Sequence, residues 1–349
     1  MGALISKNEF PVDGRTVLIT GGSKGLGLNA ARQLAEKGAN VIIVARGIGH
    51  LQDGISYISK GAVKPDVQRF HYISADVTTA EECARVVAEA TAFGDGAPPD
   101  IVWCCSGSAH PTLFVDTPPA QFQTMMDSNY FSSVYMAHAI LNTWLPGSSA
   151  SGTPSPPPRR AAAAAASAAH KPAVRHIVFT GSFVSFYSFA GFAPYAPSKA
   201  AVRALGDALS QEMNLYAAAR PDLPRVRVHT VFPATMPTRS LDDENAVKTD
   251  LTKALEEGDQ VLPPAECARR AIAALERGEE LVATSTIIRL VMASVMGGSV
   301  RGGFWTGLVN TVLGWVTMVV MIFIRWEMDT KVRKWGREHG SSGMRKKES

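Results

Sequence analysis

TVLITGGSKGLGLNAARQLAEKGANVIIVAR, residues 16–46, decides the fold class of this chain. Its first five residues form a continuous apolar, β-branched run, which is typical of a strand buried on both faces. A glycine-rich turn follows, and residues 28–37 then have the pattern of a helix that ends at Gly38. Residues 41–45 are a second apolar run. The stretch therefore predicts a strand, a turn, a helix and a second strand, which is the repeating unit of a parallel sheet.

The same alternation continues through most of the chain. Further strands are predicted at 70–74, 101–105, 176–180 and 226–232, and helices at about 80–92, 119–145 and 196–219. Strands separated by helices predict an α/β fold, specifically a Rossmann-type doubly wound parallel sheet with helices on both faces and right-handed crossovers.

Composition narrows the function classes. The 349 residues are 46% hydrophobic and 19% charged, and the net charge of +4 comes from basic residues at the C-terminal end. No basic domain face is present, so the sequence does not predict nucleic-acid binding. The four cysteines lack metal-ligand spacing, no carboxylate pair or metal cluster is recognised, and free thiols favour a reducing compartment. Those cysteines are Cys83, Cys104, Cys105 and Cys267.

The glycine-rich turn carries Gly21, Gly25 and Gly27 in the pattern T-G-x-x-x-G-x-G. Glycine permits a tight turn and a close approach to a pyrophosphate, and the following helix offers unpaired N–H groups and a positive dipole end. The pattern lies between a buried strand and a helix, which is the context that a dinucleotide-binding turn requires. We therefore expect a nicotinamide dinucleotide here.

Charged residues indicate which dinucleotide is bound. The second strand ends at Arg46, where an acidic residue would hold the ribose hydroxyls of NAD, and arginine instead favours the 2′-phosphate of NADP. Lys24, inside the turn, adds a second positive charge for that phosphate. Asp76 and Val77 follow the third strand and are expected to contact the adenine, although a helix cap accounts for Asp76 nearly as well.

Tyr195 and Lys199 form the predicted reaction centre, because residues four apart share one helix face. A free tyrosine has a pKa of about 10, and a nearby ammonium lowers it. Lys199 is thus expected to tune Tyr195 for giving a proton to a carbonyl oxygen while the cofactor gives hydride to the carbon. Ser182, at the end of the strand at 176–180, would hydrogen-bond the same oxygen.

Other residues near this set leave alternatives open. Asn129, in the middle of the long helix at 119–145, could order a water that leads to Lys199, or it could simply face solvent. The rivals to Ser182 and Tyr195 are Ser185, Ser188 and Tyr187. Only Ser182, Tyr195 and Lys199 have the spacing that joins one strand end to one helix face.

The end of the chain differs from the rest. Phe304 to Ile324 is 21 residues without a formal charge, and as a helix it would span roughly 32 Å, about one hydrocarbon core. Trp305 and Trp326 lie near its edges, where interfacial aromatics occur. A membrane segment is favoured over a buried core helix. Residues 281–300 are also apolar but carry Arg289, and they predict an interfacial or re-entrant segment.

These motifs resemble the short-chain dehydrogenase/reductase family over about residues 12–285. The resemblance implies a catalytic tetrad of Asn129, Ser182, Tyr195 and Lys199. It also implies a cofactor site that comprises Gly21, Ser23, Lys24, Gly25, Gly27, Arg46, Asp76, Val77, Tyr195 and Lys199.

A narrower resemblance is to the fungal 3-ketodihydrosphingosine reductases. It rests on CCSGSAHP at 104–111, on FYSFAGFAPYAPSKAA at 186–201, on G-x-S-x-G at 21–25, and on a hydrophobic C-terminus followed by a dilysine tail, KKES at 346–349. That family uses NADPH to reduce a long-chain keto-sphingoid lipid at the endoplasmic reticulum membrane. The resemblance implies the same for this chain, with a cytosol-facing catalytic domain, and leaves open whether the chain forms a homo-oligomer.

The predicted organisation follows. Residues 1–11 are an N-terminal tail, 12–285 the catalytic domain, 286–326 a membrane-associated segment and 327–349 a basic cytosolic tail. Within the domain, the Ser-, Pro- and Ala-rich residues 147–173 predict a disordered insertion. Cytosolic NADPH and a cytosolic dilysine signal together require two passes, at 281–300 and 304–324, or a monotopic re-entrant hairpin.

A membrane-bound reductase of a steroid, retinoid or other lipid carbonyl is an alternative function, and a non-catalytic NADP-binding sensor is a weaker one.

Overall fold

The computed structural model of the chain describes residues 8–145, 174–259, 261–295 and 303–339. Two features predicted from the sequence, the insertion at 147–173 and the dilysine tail at 346–349, lie outside the described residues. They stay predictions.

Seven strands form one sheet. They are β1 (Thr16–Thr20), β2 (Asn40–Ala45), β3 (Phe70–Ser74), β4 (Ile101–Cys104), β5 (Arg175–Thr180), β6 (Val226–Phe232) and β7 (Leu281–Ala283). Their order is β3-β2-β1-β4-β5-β6-β7, and the strands run parallel, with Ile19 of β1 between Ile43 of β2 and Trp103 of β4. The chain crosses from one side of β1 to the other between β3 and β4, which creates the switch point at which open α/β sheets bind ligands. The predicted Rossmann-type fold is confirmed.

Helices connect the strands throughout the described residues. They are α1 (Gly25–Ala35), α2 (Ile48–Ser59), α3 (Ala80–Phe93), α4 (Pro119–Met126), α5 (Ser132–Trp144), α6 (Ala196–Ala219), α7 (Arg239–Val247), α8 (Asp250–Leu255), α9 (Pro264–Glu276), α10 (Thr286–Val295) and α11 (Gly303–His339). The long helix predicted at 119–145 is interrupted: a π-helical turn, Asp127–Phe131, separates α4 from α5. Such turns often occur at functional sites.

The apolar strands are buried as their sequence predicts. In β1, Val17, Leu18 and Ile19 are fully covered by the rest of the protein, and Val41 and Ile42 of β2 are as well. A strand covered on both faces has no polar side, which explains why these runs are continuous instead of alternating.

The seventh strand was not predicted. The sequence pattern makes Leu281–Ala283 the start of the apolar segment 281–300, but these three residues pair with Thr230–Phe232 of β6. The following helix, α10, packs Ile288 and Met292 into a cluster with Phe232, Ala234 and Leu262. Residues 281–283 are therefore part of the sheet, and one face of α10 belongs to the protein core. Its other face exposes Ile287 and Leu290, so an interfacial role for α10 stays a prediction.

The chain divides into two compact units, and the predicted domain boundaries stay predictions. The first comprises residues 1–106, 131–179 and 205–229, and it contains the glycine-rich turn. The second comprises residues 107–130, 180–204 and 230–349, and it contains the predicted catalytic residues and α11.

Helix α11 has two different halves. Gly303–Ile324 is long and apolar enough to cross a membrane, and only 6% of its most apolar window is buried against protein. A core helix would be mostly covered, so the buried-core alternative is wrong for this segment. Helix α11 contacts α10 closely at Gly314, where an added Cβ would lie 2.7 Å from the carbonyl oxygen of Ala293. The residues after Ile324 are rich in charge.

Candidate active site

The glycine-rich turn of the first unit leaves no room for side chains. A Cβ added to Gly21 would lie 2.8 Å from the amide nitrogen of Ser106, and one added to Gly27 would lie 2.5 Å from the carbonyl oxygen of Gly21. Gly21 and Gly25 also have positive φ angles of 67° and 52°, which glycine adopts without strain. The backbone of the turn is thereby exposed to a ligand without intervening side chains.

The turn leads directly into α1, whose N-cap is the exposed residue Lys24. The first-turn amides of a helix have no intrahelical acceptors, and they carry the positive end of the helix dipole. Ser23 and Lys24 thus lie beside the amides that would face a pyrophosphate. This bare, positively polarised turn fits the pyrophosphate of a dinucleotide.

Arg46 follows β2 and is largely exposed. Its side chain is 81% exposed, and its Nη1 lies 4.0 Å from Oδ2 of Asp76. The backbone of Arg46 is held by Ser74, whose hydroxyl donates to the Arg46 carbonyl oxygen at 3.0 Å. An exposed guanidinium at the end of β2 suits a phosphate, and the preference for NADP stays a prediction.

Asp76 does not cap a helix. Its Oδ1 accepts from the amide of Thr78 at 3.1 Å and from the Thr78 hydroxyl at 2.8 Å, which closes a short turn. The N-cap of α3 is Thr79, which accepts from the amide of Glu82. The helix-cap alternative for Asp76 is therefore wrong. Val77 is buried, and the predicted contacts of both residues with an adenine remain predictions.

Ser182, Tyr195 and Lys199 come together in the second unit. The hydroxyl of Ser182 lies close enough to the phenol of Tyr195 to lower its pKa. The ammonium of Lys199 lies 5.8 Å from the centre of the Tyr195 ring and donates to the carbonyl oxygen of Thr180 at 2.9 Å. Because Thr180 ends β5 and Tyr195 precedes the first turn of α6, a strand end and a helix start supply the whole set, as the spacing predicts.

Asn129 is buried rather than solvent-facing, with 1% of its surface exposed. It lies in the π-helical turn, and its amide brackets Ser108: Oδ1 accepts from the Ser108 amide at 3.2 Å, and Nδ2 donates to the Ser108 carbonyl at 2.9 Å. A Cβ on Gly107 would lie 2.3 Å from Asn129 Oδ1 and 3.4 Å from Lys199 Nζ. The missing side chain at Gly107 therefore allows Asn129 and Lys199 to approach the same loop. The water relay stays a prediction.

The rivals have other roles. Ser185 is buried, and its Oγ accepts from the amide of Ser182 at 3.1 Å and donates to the carbonyl oxygen of Lys199 at 3.0 Å. It connects the two segments that carry the predicted catalytic residues. Ser188 is exposed, and the ring of Tyr187 packs near Phe183. Ser182 is the serine that contacts Tyr195.

The pKa of Tyr195 shifts in the direction opposite to the one expected. Burial of the phenol raises the pKa, the charge of Glu244 raises it further, and the hydrogen bond from Ser182 lowers it by less. Desolvation opposes the charged phenolate more strongly than the neighbouring groups favour it. In this state Tyr195 holds its proton, which suits a donor to a carbonyl oxygen.

Sequence reasoning missed a group of charged residues in the same unit. Lys248 is buried, and its Nζ lies 3.0 Å from Oε1 of Glu244 and 2.5 Å from Oε2 of Glu256. Glu244 and Lys248 are four residues apart on the sequence, a spacing that normally indicates a solvated ion pair on a helix surface. The burial of Lys248, and the effect of the Glu244 charge on Tyr195, emerge only from the fold.

These features agree with the comparisons to known proteins. A family model described as short chain dehydrogenase matches residues 15–153 and 160–249. The chain belongs to the short-chain dehydrogenase family and is an oxidoreductase that uses a nicotinamide cofactor.

Two fungal reductases are similar to this chain over nearly its whole length. The chain is 40% identical over 341 residues to the 3-ketodihydrosphingosine reductase ksrA of Aspergillus fumigatus. The matched region covers 95% of this chain and 88% of the relative. The chain is also 40% identical to the 3-ketodihydrosphingosine reductase gsl-3 of Neurospora crassa, over 97% of this chain and 87% of the relative. Among solved structures, an NADH-dependent reductase complexed with NAD shares the fold, with a TM-score of 0.57 and 18% identity over 83% of this chain and 98% of that one.

Proposed function

We propose that this chain reduces 3-ketodihydrosphingosine to dihydrosphingosine with NADPH. The observation that carries the proposal is the 40% identity, over nearly the whole chain, to two fungal proteins named for this reaction. The gathered Ser182, Tyr195 and Lys199 supply the chemistry that the reaction needs.

In the proposed reaction, the cofactor acts on the carbonyl carbon of the ketone, and Tyr195 and Ser182 act on its oxygen. The nicotinamide group, when bound, supplies a hydride to the carbonyl carbon. Tyr195 donates its proton to the carbonyl oxygen, and Ser182 donates a hydrogen bond to that oxygen as negative charge develops on it. The product is the alcohol, and Tyr195 is left as a phenolate.

Lys199 stabilises that phenolate. Its ammonium is held by the carbonyl oxygen of Thr180, 2.9 Å away, and lies within reach of the Tyr195 ring. An adjacent positive charge lowers the cost of the phenolate after the proton has left. Asn129 holds the Ser108 loop beside this group, and an ordered water there would return a proton through Lys199.

NADPH is favoured over NADH by the charges near the turn. The Arg46 guanidinium is exposed at the end of β2, and Lys24 is exposed at the start of α1, both in the first unit. Each would pair with a 2′-phosphate. Since NADPH normally drives reductive reactions, this preference also sets the direction of the proposed chemistry.

The membrane assignment rests on α11. A long-chain ketone partitions into a bilayer, and the apolar half of α11, Gly303–Ile324, exposes Trp305 and Trp315 to its surroundings. One face of α10 is packed into the protein, where Ile288 and Met292 contact the cluster around Phe232. We therefore favour the monotopic arrangement over two passes, with the catalytic residues on the cytosolic side of the endoplasmic reticulum membrane.

Turnover tests the function directly. Purified full-length protein, with 3-ketodihydrosphingosine and NADPH, is expected to form dihydrosphingosine, measured by mass spectrometry. A Tyr195→Phe variant serves as the matched control. Faster turnover of a steroid ketone or of retinal would favour the alternative of another lipid carbonyl, and no turnover of any ketone with NADPH bound would favour the sensor.

Protease treatment of sealed microsomes tests the topology. A tag at the C-terminus is expected to be digested without detergent, as a cytosolic tail requires. A protected tag would indicate a single crossing by α11 and would contradict the proposed orientation.

A further inference from the structure

An excess of negative charge lies near the reacting tyrosine, with the ring of Phe192 close to both. Lys248 is enclosed by two carboxylates, with Nζ 3.0 Å from Glu244 and 2.5 Å from Glu256. The exposed fractions of the three side chains are 2% for Lys248, 17% for Glu244 and 24% for Glu256. Two carboxylates and one ammonium leave one uncompensated negative charge in a largely covered place.

The surroundings of this charge are apolar and aromatic. Lys248 Nζ lies 5.8 Å from the centre of the Phe192 ring, and the rings of Phe192 and Tyr195 are 6.2 Å apart. Phe192 packs in a buried cluster with Val184 and Ala196. An unbalanced charge beside such a cluster is costly unless a positive group of a ligand completes it.

The two carboxylates differ in their relation to the reaction centre. Glu244, on α7, is the carboxylate whose charge acts on the phenol of Tyr195. Glu256 follows α8 and makes the same kind of contact with Lys248. Of the two carboxylates, Glu244 is the one that raises the pKa of Tyr195.

The proposed substrate has a matching group. A 3-ketosphingoid base carries an amine on the carbon next to its ketone, and a protonated amine there brings one positive charge to within two bonds of the carbonyl carbon. When the ketone oxygen meets Tyr195, the amine must lie close to the same tyrosine. Steroid and retinoid carbonyls have no such charge.

We infer that Glu244 binds the protonated amine of the substrate and selects amino ketones over neutral lipid ketones. The inference rests on the proposed function and names the feature of the substrate that the site recognises. The bound ammonium balances the excess charge of the Glu244–Lys248–Glu256 group. Lys248 positions the Glu244 carboxylate, and Glu256 holds Lys248.

A substrate comparison tests the inference. The kcat/KM values are measured with saturating NADPH for 3-ketodihydrosphingosine and for its N-acetyl derivative, in mixed micelles of one detergent. The wild-type protein is expected to prefer the free amine about 10-fold or more, since a charge-assisted contact is lost on acetylation. The Glu244→Gln variant is expected to bring the two values to within about 3-fold of each other, mainly by losing activity on the free amine.

Glu256→Gln is the matched control. It removes the same charge and a contact with the same lysine, so a purely structural role of the group predicts that both variants lose the preference equally. We expect Glu256→Gln to keep more of the preference than Glu244→Gln does, because it removes the excess charge but leaves the carboxylate that contacts the amine. Equal loss in both variants would overturn the inference. Circular dichroism establishes that each variant is folded.

Glu244→Asp is a second variant that tests the inference even if Glu244→Gln does not fold. It keeps the charge but withdraws the carboxylate by one methylene, and we expect it to lower the ratio of kcat/KM for the free amine to kcat/KM for the N-acetyl ketone by about 3-fold to 10-fold. An unchanged preference in Glu244→Asp would overturn the inference. A wild-type protein that reduces both ketones equally well would also overturn the inference, but that result would leave the proposed function intact. Failure to reduce either ketone would instead refute the proposed function, and the inference with it.

Discussion

Around the glycine-rich turn, the groups offered to a ligand are backbone amides and exposed charged side chains. At Ser182, Tyr195 and Lys199 they are side chains that are partly or fully buried, and the Lys199 ammonium is held by a backbone carbonyl. The turn works through shape: Gly21 and Gly27 have no space for a Cβ. The reaction centre works through contacts, as with Lys199 on Thr180 and Ser185 on Lys199. Changes at the turn should therefore alter cofactor affinity, and changes at the centre should alter the rate of the chemical step.

The largest effect is expected for Tyr195→Phe. The substitution removes the transferable proton and keeps the ring, so kcat should fall by about 10³-fold while the Kd for NADPH changes by less than about 3-fold. Steady-state kinetics and fluorescence titration of NADPH measure the two quantities. Full retention of reductase activity would refute the role of Tyr195, and an equal loss in binding would erase the distinction between the two regions.

Gly27→Ala should have the next largest effect, and the effect should be on cofactor binding and not on kcat. The added Cβ would meet the carbonyl oxygen of Gly21 at 2.5 Å, so the turn must shift away from its cradle shape. The Kd values for NADPH and NADH are both expected to rise by about 100-fold, because the pyrophosphate is common to them. Gly49→Ala is the control, since no atom lies within 4 Å of a Cβ at Gly49. If the variant at Gly27 bound both cofactors normally, the shape argument would be wrong.

Arg46→Ala should separate the two cofactors. Loss of a charge-assisted contact with the 2′-phosphate is expected to raise KM for NADPH by about 10-fold to 100-fold and to leave KM for NADH nearly unchanged. Arg69→Ala is a suitable control, because Arg69 is also an exposed arginine paired with an aspartate, Asp95. Equal losses for both cofactors in Arg46→Ala would show that Arg46 does not read the phosphate.

Ser185→Ala should have the smallest effect. The hydroxyl accepts from the Ser182 amide and donates to the Lys199 carbonyl, so its loss loosens the centre without removing a reacting group. We expect kcat to fall by about 3-fold to 10-fold, with Tm lower by a few degrees. The exposed Ser188 provides the control Ser188→Ala, which should change neither quantity. A loss as large as that of Tyr195→Phe would make Ser185 a direct participant.

The same contrast explains what the sequence could predict. Six strands, the glycine turn and the Ser182, Tyr195 and Lys199 set depend on local runs and fixed spacings, which are visible in one dimension. Strand β7 was missed because three residues are too few for a periodic signal, and its partner β6 lies about 50 residues earlier in the chain. The sequence predicted that Asn129 is either buried near Lys199 or solvent-facing, and the structure has it buried. The π-helical turn that contains Asn129 has no signal in the sequence.

The electrostatic errors have one physical cause. The direction of the Tyr195 pKa shift depends on how much of the phenol is removed from water, and the importance of Glu244 depends on the burial of Lys248. Both quantities come from packing between segments that are distant in the sequence. A motif shows which charged groups are present near a site, but the solvent around them is decided by the whole fold.

The anchoring of Lys199 on the last carbonyl of β5 ties activity to strand register. A slip of β5 by one residue would turn every side chain of the strand to its opposite face and would move Thr180 away from the ammonium. A chain refolded with β5 out of register could regain its helices and still be inactive. Turnover and circular dichroism can both be measured after dilution from denaturant. The recovered turnover, divided by the recovered helical signal, would therefore report the fraction of refolded molecules in which β5 has paired in the correct register.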